Sequence, residues 1–330
     1  MRKPMSTANP TLLHVQNLRK YFPVRSGLMQ RASAWVKAVD DVSFEVRRGE
    51  TLGLVGESGC GKTTLARLLL RLVDSDSGQI EFGGDDITQK KSGELQSFRR
   101  RMQIIFQDPY SSLNPRLSVE RILGEAMRVH GKATRNNVTE KVCTLLETVG
   151  LDASHRYRFP NEFSGGQRQR IGVARALALE PELIVCDEAV SALDVSIQAQ
   201  IINLLTDLKQ QLNLSYIFIS HDLNVVRYLA DRVAVMYLGE IVETASTPAL
   251  FRSPMHPYTQ ALIETNPTPD PTVAAPDHVI SGGVPSPANP PSGCRFHTRC
   301  PQAMPKCREI APELRNRSDD AGQVACHLYV

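Results

Sequence analysis

An alternating α/β fold is what the sequence predicts, and three observations predict it. Short apolar runs bounded by polar residues, at Thr51–Val55, Ile104–Phe106, Leu183–Cys186, Tyr216–Ile219 and Val233–Tyr237, read as strands. Helical patterns stand between them, at Thr63–Val73, Val138–Val149 and Gln167–Leu179, and such alternation belongs to layered α/β domains. The 330 residues, 42% hydrophobic and 22% charged, are those of an ordinary globular chain with a large core, which excludes wholesale disorder. From about Asp108 to Leu179 the chain is mostly helical and sits between two strands, so an inserted helical subdomain is expected there. No internal repeat at a period of roughly 20–50 residues is present.

Charge narrows the partners. Lys+Arg 38 against Asp+Glu 35 gives +3, too weak a balance for electrostatic nucleic-acid binding. No run of about 18 apolar residues suggests a membrane span. The segment from Met1 to Val15 carries basic residues without an apolar stretch behind them and does not read as a signal peptide. The expected compartment is the cytoplasm.

Proline and cysteine mark the end of the chain. Thirteen of the 21 prolines lie between Pro254 and Pro312, and the stretch from Asn266 to Pro291 has little periodicity, as in a linker. Residues 1–265 are expected to form one core and 266–330 a Pro-rich linker with a small cysteine-bearing tail. Cys60, Cys143 and Cys186 are scattered, whereas Cys294, Cys300, Cys307 and Cys326 crowd together. In a reducing compartment such a cluster reads as a metal site before disulfides. The spacing C-x5-C-x6-C-x18-C lacks the C-x2-C knuckle of structural zinc sites. Four thiolates around an iron–sulfur cluster suit it somewhat better, although it is not the ferredoxin run either. Zinc is the alternative, then unligated thiols or disulfides, with His297 and His327 close enough in sequence to substitute as ligands.

The chemistry is carried first by Gly56-Glu57-Ser58-Gly59-Cys60-Gly61-Lys62-Thr63, which satisfies G-x-x-x-x-G-K-[ST] between an apolar run and a helical pattern. Its glycines let backbone N–H groups turn inward around phosphate oxygens, and the helix N-terminus favours an anion. Lys62 would reach the β- and γ-phosphates, the Thr63 hydroxyl would ligate Mg2+, and Thr64 follows in the same turn. Leu183-Ile184-Val185-Cys186-Asp187-Glu188 then places two carboxylates at the carboxyl end of a strand, where ligands bind in open α/β sheets. Asp187 suits Mg2+ held through water, and Glu188 suits polarisation of an attacking water. By itself a strand ending in Asp-Glu is a common accident; beside a phosphate loop it is a nucleoside triphosphate site.

Ser164 and Gln167 in Ser164-Gly165-Gly166-Gln167 are spaced as a capping box, so a well-capped helix is the plain reading. The two glycines also leave helix amides open to an anion. The run from Phe163 to Arg170 resembles the signature motif of ATP-binding cassette (ABC) ATPases. Other residues match that family in order: Gln107 its glutamine loop, Ser191-Ala192-Leu193-Asp194 the loop at the dimer interface, and Ser220-His221-Asp222 the switch histidine. Phe22 matches the aromatic that stacks on adenine, with Tyr21 one residue away. The resemblance covers about residues 11–265. It implies an α/β P-loop NTPase core of ABC ATPase type with an inserted helical subdomain, an antiparallel β edge and a small Cys-rich C-terminal extension. It also implies catalytic roles for Glu188, His221 and Gln107, and Mg2+ held through Thr63, Gln107 and Asp187. Ser164, Gly165, Gly166, Gln167 and Asp194 would close on ATP held by a head-to-tail partner. One departure stands out: the family usually has Pro after the strand glutamate, and here it is Ala189, which leaves the turn freer.

His256-Pro257-Tyr258-Thr259-Gln260-Ala261-Leu262, the run from Val284 to Cys294, and the run from Gln107 to Arg116 resemble the ATPases of dipeptide and oligopeptide importers. That resemblance implies a second ABC ATPase subunit, two transmembrane permease subunits, an extracytoplasmic peptide-binding protein and a peripheral place on the cytoplasmic face of the inner membrane. It also implies a [4Fe–4S] cluster at the four tail cysteines. Nickel or glutathione is the alternative cargo. A soluble ABC ATPase working on DNA or ribosomes is a rival from another class, but this chain has one cassette, no sustained heptads and nearly balanced charge. A phosphate-loop kinase would leave Ser164–Gln167 unexplained.

Overall fold

The computed structural model describes residues 10–26, 31–108, 113–191, 193–265, 282–317 and 322–329. Parts of four stretches singled out above lie outside the described residues: 1–9 of the N-terminal segment, 109–112 at the start of the helical region, Ala192 of the interface loop and 266–281 of the linker. The strands are β1 (Thr11–Ser26), β2 (Arg31–Arg47), β3 (Thr51–Val55), β4 (Ser77–Phe82), β5 (Asp85–Asp86), β6 (Met102–Ile105), β7 (Leu183–Asp187), β8 (Ser215–Ile219), β9 (Arg232–Tyr237), β10 (Glu240–Ser246), β11 (Arg315–Asn316) and β12 (Gly322–Val324). The helices are α1 (Lys62–Leu69), α2 (Ser92–Arg101), α3 (Val119–Val129), α4 (Val138–Thr148), α5 (Gly165–Leu177), α6 (Val195–Leu212), α7 (Leu223–Leu229), α8 (Thr247–Arg252), α9 (Pro257–Glu264) and α10 (Lys306–Glu309). The chain divides into two compact units: Met1–His14, Glu45–Glu50 and Glu81–Ile217 form the first, and Val15–Phe44, Thr51–Ile80 and Phe218–Val330 the second. β1, β2, β4 and β8 have residues in both, and β5 pairs antiparallel with the end of β4, Glu81 opposite Asp86 and Phe82 opposite Asp85.

In the first unit β6 and β7 run parallel, with Met102 opposite Leu183 and Ile105 opposite Cys186. All five residues of β7 are buried, as a parallel strand covered on both faces requires. The expected helical stretch holds α3, α4, α5 and two 3-10 turns, Ala153–Tyr157 and Pro160–Glu162. α3 buries Val119, Ile122, Leu123 and Met127, one apolar stripe of a 3.6-residue period. α6 has no counterpart among the expected helices. Its buried residues are few, Ile201, Ile202, Leu205 and Leu208, and it ends on Asn213 in the left-handed region.

In the second unit the strand order is β11-β12-β10-β9-β3. β3 is parallel to β9, Leu52 opposite Arg232 and Val55 opposite Val235, and β9 turns antiparallel into β10. That turn is Leu238-Gly239, both with positive φ (43° and 88°), the geometry that matches the twist of a two-residue hairpin. β12, from the end of the chain, pairs with β10 from Glu243–Val324 to Ala245–Gly322 and covers its edge. α1 stops at Leu69, not at Val73 as the apolar pattern suggests. Arg71 takes φ +51°, and the Leu72 N–H closes back on the Arg67 carbonyl at 2.9 Å while the Arg71 N–H meets Leu68, a Schellman ending that stops the helix.

The C-terminal residues are part of this unit's core. Phe296, 2% exposed, lies among Tyr237, Tyr258 and His256, with ring centroids 5.3, 5.4 and 5.8 Å away. Arg317 and Glu243 form a fully buried pair at 2.9 Å. Arg317 also donates to the Ser253 carbonyl, and Glu243 also accepts from the Met255 and His256 amides. Such a pair holds only when its remaining hydrogen bonds are made. No helix among the described residues is long and apolar enough to cross a membrane.

His256 caps α9 by accepting the Tyr258 N–H on Nδ1 at 3.0 Å, and burial lowers its pKa from the ordinary 6.5 to about 3. The folded state therefore binds fewer protons than the unfolded state between these values. The contribution of a neutral His256 to stability is present above 6.5 and is lost as pH falls from there through about 3. In His256→Ser, which keeps a capping oxygen, stability will fall less steeply over that window than in the natural chain; urea unfolding at stepped pH checks it.

Candidate active site

β3 delivers the chain, fully buried, to Gly56. A Cβ on Gly56 would stand 2.1 Å from the Met236 carbonyl oxygen, and one on Gly61 2.0 Å from that of Ala38, with Gly61 at φ +112°. Only glycine fits so close a backbone approach. Gly59 has φ +81° but open space around its Cβ position. α1 opens at Lys62 with no side-chain cap from Gly61, the kind of helix start that receives an anion on its amides. Lys62 is buried, and its ammonium donates to the carbonyls of Gly56 at 2.7 Å and Glu57 at 2.9 Å. Cys60 is buried too; burial pushes its thiol pKa up, although Lys62 opposes the shift. Ser58 and Thr63 are exposed and Thr64 half-buried.

Two contacts on this loop have no local sequence pattern. The Glu57 N–H donates to the Tyr258 hydroxyl at 2.8 Å. The Glu57 carboxylate takes both Nη atoms of Arg299, at 2.8 and 3.0 Å. Chain separations of 201 and 242 residues put these contacts beyond any periodicity.

Also in the second unit, His221 is exposed and stands just past β8. The Ser220 N–H before it bonds the Leu54 carbonyl, and Asp222 after it caps α7. The Tyr21 hydroxyl donates to Asp40; burial first, then that bond and the Asp40 charge, push its pKa to about 12. Phe22 is exposed, with the Lys20 ammonium 5.6 Å from its ring centre.

In the first unit, β7 ends on Asp187, buried, followed by Glu188, half-buried with φ +49°. A non-glycine residue in the left-handed region costs about 1–2 kcal/mol. The turn is held by Ser191, whose N–H and hydroxyl both donate to the Glu188 carbonyl, at 3.2 and 3.0 Å. The turn that Ala189 leaves free is thus closed by Ser191. Gln107, past β6, donates its Nε2 to Glu188 Oε2 at 2.8 Å. Two residues picked separately from the sequence therefore meet.

The capping box at Ser164 is real. Ser164 Oγ accepts the Gln167 N–H at 3.3 Å, and Gln167 Oε1 accepts the Ser164 N–H at 3.0 Å. Gly166 has a packing reason as well, since a Cβ there would lie 2.4 Å from Ile197. Asp194 is exposed and precedes α6.

The four tail cysteines share a neighbourhood in the second unit. Burial first, then the Cys307, Cys326 and Cys300 thiols, pushes Cys294 to about 12. Cys300 and Cys326 are raised the same way, by burial and then by neighbouring thiols. Yet among the described residues no three His, Cys, Asp or Glu side chains are arranged to hold a metal ion. The donor chemistry of four neighbouring thiols nonetheless fits a thiolate-bound metal. His297 Nδ1 and His327 Nε2 instead contact the carbonyls of Cys294 and Ile310, each at 2.9 Å.

A strand-to-helix phosphate loop, a strand ending in two carboxylates and a glycine-opened capping box on one α/β chain define an ATP-binding cassette. The chain belongs to the ABC transporter ATPases. The family profile described as ABC transporter matches residues 39–191, and that of the oligopeptide/dipeptide transporter C-terminal region matches 242–307. The oligopeptide transport ATP-binding protein AppF of Bacillus subtilis is 53% identical over 329 residues, 98% of this chain and 100% of the relative. A probable peptide ABC transporter ATP-binding protein of Sinorhizobium fredii is 54% identical over 96% of this chain and 90% of its own length. Among solved structures, cbiO1 from Clostridium perfringens, part of the cbiONQ transporter complex, matches with a TM-score of 0.63 at 24% identity over 74% of this chain and 91% of its own. A dimeric ATP-binding cassette in a post-hydrolysis state with ADP and Pi also scores 0.63 at 24% identity, over 72% and 99%. Both bear out the expected ABC ATPase core fold.

Gly61→Ala will abolish nucleotide binding, because the added methyl meets the Ala38 carbonyl as well as an unfavourable φ. Gly59→Ala, with open space, will cost about 1–2 kcal/mol of stability and keep the fold. Titration calorimetry with ATP and circular dichroism on the two variants check the contrast.

Proposed function

We propose that this chain is the ATP-hydrolysing subunit of an ABC importer for dipeptides and oligopeptides, peripheral on the cytoplasmic face of the inner membrane. It acts as one half of a head-to-tail pair with a second ABC ATPase subunit, on two transmembrane permease subunits fed by an extracytoplasmic peptide-binding protein. One observation carries the reading: a complete phosphate loop stands on the same chain as a C-terminal region matched to oligopeptide/dipeptide transporters. The relatives named for oligopeptide and peptide transport, alike over nearly the whole chain, support the cargo. The functional division is residues 1–265 for the ATPase, with its helical subdomain at about 108–179, and 266–330 for the linker and tail.

ATP is cleaved by water to ADP and phosphate. Amides of Gly59, Cys60, Gly61, Lys62 and Thr63 and the Lys62 ammonium hold the phosphates, with Glu57, Ser58 and Thr64 completing the loop. Thr63, Asp187 and Gln107 are the residues for Mg2+, which supplies charge neutralisation on the phosphate oxygens; a buried carboxylate at a strand end and a hydroxyl are the hard oxygen donors it takes. Glu188 draws the proton from the attacking water, and its bond to Gln107 supports that pairing. His221 contacts the γ-phosphate. Phe22, exposed while the Tyr21 hydroxyl is engaged with Asp40, is the better adenine platform of the two. Ser164, Gly165, Gly166, Gln167 and Asp194 face the ATP held by the partner. Loss of the γ-phosphate removes the shared anion, and the pair opens. Cys294, Cys300, Cys307 and Cys326 are proposed as [4Fe–4S] ligands, with zinc the alternative; the family resemblance and four clustered thiols support this, and a visible absorbance band lost on Cys→Ser change is its signature.

Glu188→Gln will bind ATP, trap the dimer and nearly stop turnover; unchanged hydrolysis rates in that variant would remove Glu188 from its role. Growth on defined peptides with and without the gene, beside uptake of nickel and glutathione, tests the cargo. Co-purification with ribosomes or nucleic acid instead of permeases would overturn transport.

A further inference from the structure

The phosphate loop is gripped from the far end of the chain. Arg299, with its side chain only 6% exposed, forms a two-pronged ion pair with Glu57, the second residue of the loop. Its Nη1 also reaches the Tyr237 hydroxyl at 3.4 Å. Paired Arg–carboxylate bonds fix orientation as well as charge. The Glu57 main chain is held too, its N–H donating to the Tyr258 hydroxyl. Four residues before Arg299, Arg295 donates to the Leu238 carbonyl and to Asp40, and lies 2.8 Å from Glu240. It thereby holds the Leu238-Gly239 turn, whose Gly239 N–H bonds the Cys60 carbonyl at 2.8 Å. Between the two arginines Phe296 is wedged against Tyr237 and Tyr258. Two points of the loop, Glu57 and Cys60, are thus set by a single turn of the C-terminal region.

The charge arithmetic gives this turn a task. A carboxylate in the loop stands beside the place where a triphosphate must bind, and its field opposes that anion. Arg299 neutralises it through two parallel charge-assisted bonds to the carboxylate, at 2.8 and 3.0 Å. Without Arg299 the loop would keep a half-buried, uncompensated negative charge and lose the fork that orients Glu57. Lysine offers charge without the fork.

We propose that Arg299 is a positioning residue for ATP binding: it cancels the Glu57 charge and pre-sets the phosphate loop before the nucleotide arrives, with Arg295 steadying the loop at Cys60 through the Leu238-Gly239 turn. The inference rests on the reading of this loop as an ATP site.

The test is MgATP affinity of the full-length chain and of its Arg299→Ala, Arg299→Lys and Arg299→Ala/Glu57→Gln forms, with nucleotide-free melting temperatures alongside. Arg299→Ala is expected to raise Kd about tenfold, Arg299→Lys to fall between it and the natural chain, and the double variant to recover most of the loss. A merely structural arginine would lower the melting temperature without being rescued by Glu57→Gln. An unchanged Kd in Arg299→Ala, or a double variant no better than the single one, overturns the proposal. If Arg299→Ala does not fold, Arg299→Lys decides: faster amide exchange across residues 56–62 with weaker binding supports it, and neither change refutes it. Failure of the natural chain to bind MgATP would end the ATP-site reading itself, a different result from an indifferent Arg299.

Discussion

Between Val55 and Lys62 the chain has six residues in which to pass from a fully buried strand to a helix while leaving room for a highly charged ligand. That passage is the constraint on which the second unit depends. Backbone carbonyls of Met236 and Ala38 come so near Gly56 and Gly61 that any side chain there would collide. The neighbouring strand, the hairpin turn at Leu238-Gly239 and the aromatic group beneath can be seen as the mould around this bend. Lys62 completes it from inside, its ammonium satisfied by the loop's own carbonyls. A buried cation without such partners would be costly, so the loop holds its charge ready at little expense in stability.

The carboxylate strand of the first unit solves a related problem by other means. Glu188 is held in a left-handed conformation that an alanine-containing turn would not enforce, and two bonds from Ser191 supply the restraint. Where proline would have fixed the turn through its ring, a serine fixes it through hydrogen bonds. The side chain so presented is already paired with Gln107.

Much of this was legible in the sequence wherever the physical cause is local. The phosphate loop, the Asp187-Glu188 strand end and the Ser164–Gln167 box are each written in adjacent residues, and each is found in its expected element. The end of α1 was not legible, because the apolar pattern runs on to Val73 while the helix is stopped by a backbone conformation at Arg71. α6 was hidden by a sparse buried face. The grip of Arg299 on Glu57 left no trace at all, since long-range ion pairs have no spacing rule. The tail cysteines suggested ligands through composition, yet composition says nothing about whether thiols point at one centre.

The pairing of β12 with β10 has a practical side. A cassette cut at the proline-rich stretch would lose the strand that shields an antiparallel rim, along with the phenylalanine that fills the aromatic group. The shortened protein would expose unpaired main-chain donors and acceptors to its neighbours, the usual start of edge-to-edge aggregation. Truncation for crystallography or display would thus yield insolubility where a trimmed appendage was intended.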